Sequence, residues 1–224
     1  MNPNFTKLPS IDQPVRIETE GVTLEGQLQV PSEANGVVIF AHGSGSSRHS
    51  PRNKFVARVL RDAHLGTLLF DLLTAEEDLT ERHTGHLRFD IGLLAQRLGQ
   101  AAAWLLSEYS ENTPLGFFGA STGGGAALVA AAELGRTVNA VVSRGGRPDL
   151  AGEALERVTA STLLIVGGLD EPVIAMNRKA YDQLHCEKRL HVVPGASHLF
   201  DEPGTLEEVA RLAAEWFQQH FENN

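Results

Sequence analysis

Ser121 lies in a G-x-S-x-G pentapeptide, GASTG, between an apolar run and an Ala-rich segment. This pattern is typical of a strand that turns sharply into a helix, where glycines permit a strained turn and leave the serine hydroxyl exposed. A serine hydroxyl is a weak nucleophile unless a neighbouring base removes its proton. If Ser121 attacks an acyl group, the base must therefore come from another part of the chain.

His198 and Asp170 are the residues best suited to activate Ser121. His198 lies in PGASHLF, after the last apolar run, and Asp170 follows the run LLIVGG. A histidine base needs a carboxylate that fixes its tautomer and stabilises the imidazolium. We therefore predict a catalytic triad of Ser121, His198 and Asp170. Asp149, which also follows an apolar run, is the alternative acid, and Asp170 is open to a second interpretation as the N-cap of a helix near residues 173–184.

The segment AHGSGSSRHS, residues 41–50, predicts the other half of an acyl-transfer site. A tetrahedral intermediate needs preorganised N–H donors, and the loss of one donor costs about 2.7–4 kcal/mol. The predicted donors are the backbone N–H groups of Ser44 and of Thr122. The same segment ends in Ser50-Pro51, an N-cap followed by a favoured first-turn proline, so it also serves as the entry to a helix.

The glycines around Ser121 admit a second interpretation. Because N–H groups at the start of a helix bind anions, GASTGGG is also compatible with a phosphate or nucleotide site. Neither G-x-x-x-x-G-K-[ST] nor G-x-G-x-x-G occurs at this turn, which weakens that interpretation. The remaining alternative is a non-catalytic protein that binds a ligand or a partner, against which the intact Ser121, Asp170 and His198 argue.

Three basic residues at predicted strand ends are candidates for substrate binding. Arg48 and His49 follow the first buried strand, and Arg144 follows a later one. Guanidinium groups bind carboxylates and phosphates bidentately, so these residues predict that small esters carrying an anionic group are among the substrates. Solvated or structural arginines are the alternative. His83-x-x-His86 has a spacing found among metal ligands, but no Cys or carboxylate completes the set, so we expect no metal and no cofactor.

Short apolar runs alternate with helical patterns along the chain. Residues 15–20 and 22–30 alternate apolar and polar residues, which is typical of an exposed antiparallel hairpin. Six further runs predict strands, five of them without polar alternation, as in strands buried on both faces. These runs are residues 36–42, 66–72, 115–121, 138–144, 161–168 and 188–195. Helical spacing follows Ser50, Ile91 and Thr205, and Thr205 with Glu208 predicts a capping box.

This alternation predicts an α/β three-layer sandwich whose mixed sheet is mostly parallel and begins with an antiparallel hairpin. Ligands of such sheets bind beyond the carboxyl ends of the strands, where all the candidate residues fall. No repeat or break in composition divides the chain, so we expect a single domain over residues 1–224. Residues 73–90, the longest polar stretch, are predicted to form a small flap, and no insertion is long enough for a large cap.

Composition and charge limit the partners of the protein. The net charge of −9 over 224 residues argues against a nucleic-acid surface and against an anionic membrane surface. The single cysteine, Cys186, excludes an intramolecular disulfide, and the sequence shows neither a secretory signal pattern nor a run as long as a membrane span. We therefore expect a cytoplasmic protein that acts on a small molecule.

Four motifs resemble those of the α/β-hydrolase superfamily, and within it the small, cap-free dienelactone-hydrolase-like branch: HGSGSS at 42–47, GASTGG at 119–124, GGLDEPV at 167–173 and GASHLF at 195–200. The resemblance extends from about residue 15 to residue 220, and the chain order Ser121, Asp170, His198 is that of the superfamily. It implies Ser121 as nucleophile, His198 as base, Asp170 as orienting acid and the Ser44 and Thr122 amides as oxyanion hole. Dienelactone hydrolases carry a cysteine nucleophile, so the serine here favours a serine carboxylesterase that cleaves small esters or lactones through an acyl-enzyme.

Overall fold

A computed structural model describes residues 10–19 and 21–222, apart from the side chains of residues 82–84. Eight strands form one sheet in the order β1-β2-β4-β3-β5-β6-β7-β8. Their bounds are β1 Ile11–Thr19, β2 Val22–Val30, β3 Val37–Ala41, β4 Gly66–Phe70, β5 Leu115–Ala120, β6 Ala140–Arg144, β7 Ser161–Gly167 and β8 Lys188–Val193. The pairs β1–β2 and β2–β4 are antiparallel and the others are parallel. The predicted mixed sheet is confirmed, and β1 begins four residues earlier than the sequence predicted.

Helices cover both faces of the sheet. The α-helices in the described ranges are α1 Pro51–Asp62, α2 Ala75–Thr84, α3 Ile91–Glu108, α4 Thr122–Leu134, α5 Glu171–Gln183 and α6 Thr205–Glu222, with 3₁₀ segments at Leu87–Phe89, Gly135–Thr137 and Pro148–Arg157. Helices α1 and α6 share one apolar core with the sheet, and α3, α4 and α5 share the other. The three-layer sandwich is therefore confirmed.

The central strands are buried on both faces, as their lack of polar alternation predicted. Every residue of β3, β5 and β6 is buried. Phe118 packs toward α1 and α6 with its ring 4.9 Å from that of Phe40, while Phe117 belongs to the core under α3 and α4. Because both faces are filled, the open positions of the sheet are its strand ends.

The two predicted helix starts have different outcomes. Ser50 is the N-cap of α1, where its side chain accepts a hydrogen bond from the Asn53 N–H at 3.3 Å. The capping box predicted for α6 is wrong, because Thr205 already lies inside the helix. Its hydroxyl donates to the carbonyl of Glu202 at 2.7 Å, and the Glu208 carboxylate accepts from Arg211 instead.

Residues 73–90, the predicted flap, contain the helix α2. Thr74 and Glu77 form the capping box that opens it, a T-x-x-E signal that sequence analysis overlooked. The Glu77 carboxylate also binds the buried guanidinium of Arg97, on α3, with contacts of 2.5 and 2.7 Å. This hydrogen bonding lowers the pKa of Glu77. The segment is thus a short helix tied to the layer below it.

Candidate active site

Ser121 occupies the sharp turn between β5 and α4. Its backbone dihedrals, φ 51° and ψ −122°, belong to a region that costs a non-glycine residue on the order of 1–3 kcal/mol. Three backbone hydrogen bonds hold the turn: the Ser121 N–H donates to the Arg144 carbonyl, and the Ser121 carbonyl accepts from Gly124 and Arg147. The Ser121 hydroxyl itself makes no hydrogen bond within the described part of the chain. The fold therefore fixes the strained backbone and leaves the hydroxyl available.

The glycines of this turn are required by close backbone packing. A Cβ on Gly119 would overlap the Gly123 carbonyl, and a Cβ on Gly123 would overlap the carbonyl of Ala41. A Cβ on Gly124 would lie 2.6 Å from the Ser143 hydroxyl oxygen. Because protein atoms already fill the space beside these glycines, their geometry favours a tightly packed nucleophile turn over a loop that surrounds a phosphate.

We predict that Gly123→Ala destabilises the protein, whereas Gly99→Ala does not. Overpacking at Gly123 should lower the free energy of unfolding by about 1–3 kcal/mol, because the Ala41 backbone lies in the way. Gly99, inside α3, has nothing within 4 Å of an added Cβ, and alanine there should raise the free energy of unfolding by about 0.5–1 kcal/mol. Denaturant unfolding of both variants tests this, and a Gly123→Ala protein as stable as the wild type contradicts it.

His198 and Asp170 form a direct pair at the ends of β7 and β8. The distance from His198 Nδ1 to Asp170 Oδ2 is 2.6 Å. Since an ionised carboxylate only accepts hydrogen bonds, Nδ1 carries the proton, and in the neutral imidazole Nε2 then keeps a free lone pair. The Asp170 side chain is 14% exposed and the His198 side chain 40%. The arrangement places a mostly buried carboxylate against a partly exposed imidazole.

The alternative interpretations of the two aspartates can now be compared with the structure. Asp170 does occupy the N-cap position of α5, but its side chain makes no capping hydrogen bond because it faces His198. Asp149, the alternative acid, binds Arg147 through both carboxylate oxygens at 2.9 and 2.7 Å. Asp170 is therefore the carboxylate that contacts the candidate base.

Backbone contacts join the loop of the acid to the loop of the base. The Leu169 N–H donates to the Ala196 carbonyl at 2.9 Å. A Cβ on Gly167 would lie 2.5 Å from the carbonyl oxygens of both Ala196 and Ser197. Glycine at position 167 thus permits the approach that places Asp170 against the imidazole.

The same strand edge brings His198 next to the nucleophile turn. A Cβ on Gly145 would lie 3.2 Å from the His198 carbonyl oxygen and 3.6 Å from its ring carbon Cε1. The preceding residue, Arg144, accepts the hydrogen bond from the Ser121 N–H. Ser121 thus contacts Arg144 and His198 lies beside the next residue, Gly145, so the three predicted triad residues lie at one edge of the sheet.

The two predicted oxyanion donors lie next to each other, but the Ser44 N–H already has a partner. The Ser44 N–H donates to the hydroxyl oxygen of Thr122 at 2.9 Å, a side-chain contact that sequence analysis did not foresee. A Cβ on Gly43 would lie 3.0 Å from Ser121 Cβ, so Gly43 lies directly against the turn that holds Ser121. The N–H of Thr122 is in the first turn of α4, where N–H groups have no partner within the helix.

His42 is a residue of this region that sequence analysis missed. Its Nδ1 lies 3.0 Å from the Gly43 carbonyl, and its Nε2 lies 3.1 Å from the Leu72 N–H. Nε2 must accept from Leu72, so Nδ1 carries the proton and the ring is neutral. Burial lowers the pKa of His42, consistent with that state. The ring joins the loop after β3 to the end of β4, and its position next to Gly43 in the sequence was the available signal.

A cavity of about 530 Å³ opens beside this loop, and Arg48 lines it. The Arg48 guanidinium binds Asp71 through Nη1 and Glu25 through Nη2, the latter at 2.7 Å. The Arg48 backbone N–H also donates to Asp71 at 2.7 Å. His49 is exposed and is not among the described residues that line the cavity. Arg48 is thus a partner of two carboxylates.

Arg144 lies on the other side of Ser121. Arg48 lines the cavity next to β4, whereas Arg144 ends β6, and β5 with Ser121 runs between them. Arg144 is 8% exposed, its guanidinium lies 5.9 Å from the Phe200 ring, and burial lowers its pKa to about 10. Its Nε and Nη1 have no hydrogen-bond partner in the described part of the chain. The three basic residues predicted to bind substrate are therefore not gathered into one anion site.

The expected absence of a metal site and of a membrane span can be compared with the described residues only. Within them, no group of three or more His, Cys, Asp and Glu side chains is arranged to hold a metal ion. The side chain of His83, half of the candidate metal pair, lies outside the described residues. In residues 10–19 and 21–222, no helix is both long and apolar enough to span a bilayer.

Comparison with known proteins agrees with this geometry. The model of the dienelactone hydrolase family matches residues 28–222. The chain belongs to the dienelactone hydrolase family. It is 58% identical to a dienelactone hydrolase of Anabaena variabilis, whose crystal structure superposes with a TM-score of 0.90 over 94% of this chain and 98% of that one. The predicted family is thereby confirmed.

One further relative and one more distant solved structure extend the comparison. A Mycobacterium tuberculosis protein, provisionally named a phosphoribosyl transferase, is 54% identical over 213 residues, which are 95% of this chain and 47% of that protein. The chain thus spans about half the length of this relative. A lidless α/β serine hydrolase of Xanthomonas campestris matches with a TM-score of 0.75 at 21% identity, over 97% of both chains. At that identity the match shows the fold alone, an α/β-hydrolase fold without a lid.

Proposed function

We propose that the protein is a serine hydrolase that cleaves small carboxylic esters or lactones through an acyl-enzyme. The observation that carries the proposal is the 2.6 Å contact of His198 Nδ1 with Asp170, at the strand edge where Ser121 sits in a strained turn. In the neutral imidazole, this contact places the proton on Nδ1 and leaves the Nε2 lone pair free, which is the state that a general base requires. Membership of a hydrolase family supports the same reaction class.

The proposed reaction has two acyl-transfer steps. Nε2 of His198 takes the hydroxyl proton of Ser121 as Oγ attacks the carbonyl carbon, and the carbonyl oxygen becomes an oxyanion. The Thr122 amide would donate to it, and so would the Ser44 amide once its N–H is shared between Thr122 Oγ1 and the oxyanion. The C–O bond to the alcohol then breaks, and the alcohol leaves with the proton from Nε2. A water molecule repeats the sequence on the acyl-enzyme, which releases the acid and restores Ser121.

Other activities have less support. The name of the mycobacterial relative points to phosphoribosyl transfer, but the match covers less than half of that protein. Protein atoms fill the space beside the glycines at the start of α4, which argues against a phosphate or nucleotide site there. A non-catalytic binding protein would not need the His198–Asp170 pair. A cytoplasmic location remains part of the proposal, based on the single cysteine, Cys186.

A fluorophosphonate probe tests the nucleophile. The wild type is expected to be labelled covalently, and Ser121→Ala is expected to lose labelling and hydrolysis of 4-nitrophenyl acetate together. Ser107→Ala, which changes an exposed serine of α3, is the matched control and should label like the wild type. Equal labelling of Ser121→Ala, or no labelling of the wild type, contradicts the proposed function.

A further inference from the structure

The cavity beside the loop of residues 41–50 adjoins the proposed reaction centre on one particular side. Gly43 and Ser44 line it, and Gly43 also contacts the nucleophile turn. In the sheet, β3, β4 and β2 lie on the cavity side of β5. Strands β7 and β8, which Asp170 and His198 follow, lie on the other side. The cavity and the base are therefore on opposite sides of Ser121.

This placement decides which part of an ester enters the cavity. The leaving alcohol must lie next to the imidazole, because the proton that it takes comes from Nε2 of His198. The acyl chain then points away from His198, toward the loop that holds Gly43 and Ser44. The cavity is thus the acyl side of the site, and its volume of about 530 Å³ is within the range of small-molecule pockets.

The charges around the cavity are unfavourable for an anion. Four carboxylates and two guanidinium groups are among the described residues that line it, Glu25, Asp71, Glu76, Asp78, Arg48 and Arg88. Both arginines are already in ion pairs, Arg48 with Asp71 and Glu25, and Arg88 with Asp78 at 2.6 Å. A substrate carboxylate would have to displace a resident carboxylate and would meet an excess of two negative charges.

The same lining suits hydroxyl groups. Carboxylate oxygens accept hydrogen bonds from a hydroxyl, and guanidinium N–H groups donate to it without a change of charge. Ser46, Ser47 and Thr74 add further hydroxyls at the wall, while Leu72 and Leu94 provide apolar contact for methylene groups. An uncharged chain with hydroxyl groups can therefore be bound without breaking the ion pairs.

From this geometry we propose that the cavity binds the acyl chain of the substrate and selects uncharged, hydroxyl-bearing acyl groups over anionic ones. The proposal rests on the proposed hydrolase function and specifies its substrate class. For the acyl group, it revises the expectation of anionic substrates that Arg48 raised in the sequence.

Three ethyl esters with acyl chains of equal length test the selection: ethyl 3-hydroxybutanoate, ethyl butanoate and monoethyl succinate. Ethanol release gives kcat/KM for each. We expect the hydroxybutanoate to be the best substrate and the succinate to be worse than it by about tenfold or more. The difference should narrow as the ionic strength rises from about 0.01 M to about 1 M, because salt screens the repulsion.

Glu25→Gln is the variant that tests the origin of the selection. It removes one carboxylate and leaves Arg48 Nη2 without its 2.7 Å charged partner. The ratio of hydroxybutanoate to succinate should fall several-fold. Glu207→Gln, at an exposed position of α6 remote from the cavity, is the control with the same change of charge and should keep the wild-type ratio.

The outcomes separate this proposal from the proposed function. If 4-nitrophenyl acetate is hydrolysed but the succinate ester is cleaved as well as the hydroxybutanoate, or none of the three is cleaved, the cavity proposal is wrong and the hydrolase function stands. A better rate with ethyl butanoate than with the hydroxybutanoate also overturns it. If 4-nitrophenyl acetate is not hydrolysed either, the proposed function fails and the cavity proposal fails with it.

Discussion

Asp170→Asn is expected to lower kcat about 10⁴-fold while the protein remains folded. In the wild type, the carboxylate accepts from Nδ1 of His198 at 2.6 Å. An asparagine amide in the same place can donate to Nδ1 through its NH₂ group, which moves the imidazole proton to Nε2. Nε2 would then have no lone pair with which to accept the proton of Ser121, and the base would be lost by a change of tautomer.

The Asp170→Asn exchange should change the stability of the protein little. Asp170 is the N-cap residue of α5, yet its side chain makes no capping hydrogen bond, so the helix loses little when the carboxylate becomes an amide. Asp149→Asn is the matched variant, because Asp149 also follows a strand but binds Arg147. Kinetics with 4-nitrophenyl acetate and thermal unfolding of both variants provide the measurement. A loss of less than about tenfold for Asp170→Asn would exclude Asp170 as the orienting acid.

Thr122→Val is expected to lower kcat about 100-fold with a much smaller change in KM, which is the effect of losing one oxyanion donor. The Thr122 hydroxyl oxygen accepts the Ser44 N–H at 2.9 Å and holds this amide beside the helix start. Valine has nearly the same shape, but it cannot accept that hydrogen bond. The Ser44 amide would then be free to move away from the position where negative charge develops.

Thr122→Ser is the matched control, because it keeps the hydroxyl and removes only a methyl group. It should retain most of the wild-type kcat, and both variants should unfold at similar temperatures if the hydroxyl acts through the amide rather than through the core. If kcat instead rises for Thr122→Val, the Thr122 hydroxyl competes with the oxyanion for the Ser44 N–H.

The positions of the triad residues could be predicted because they depend on a general property of parallel sheets. Ser121, Asp170 and His198 each follow an apolar run, and the carboxyl ends of parallel strands meet at one edge. Local patterns also identified the start of α1 at Ser50. These predictions need only the order of elements and the direction of the chain.

The partners of long polar side chains could not be predicted in this way. The sequence predicts that Arg48 binds an anion, but in the structure its guanidinium pairs with Glu25 and Asp71. The contact between Ser44 and Thr122 likewise depends on how closely two loops pack. The helix α2 was not predicted because its residues are mostly polar and show no apolar helical face. The T-x-x-E capping box at Thr74 was the available signal.

The described walls of the cavity come entirely from residues 21–94, whereas the proposed nucleophile, acid and base come from residues 121–198. Apart from the proposed oxyanion donor Ser44, the bond-breaking chemistry and the choice of substrate would therefore be encoded in consecutive stretches of the gene. Recombination or directed evolution could exchange the first stretch between family members and change which acyl groups are accepted, while the second stretch is inherited intact. Chimeras joined in the α3–β5 connection, residues 109–114, would be the natural way to redirect this scaffold.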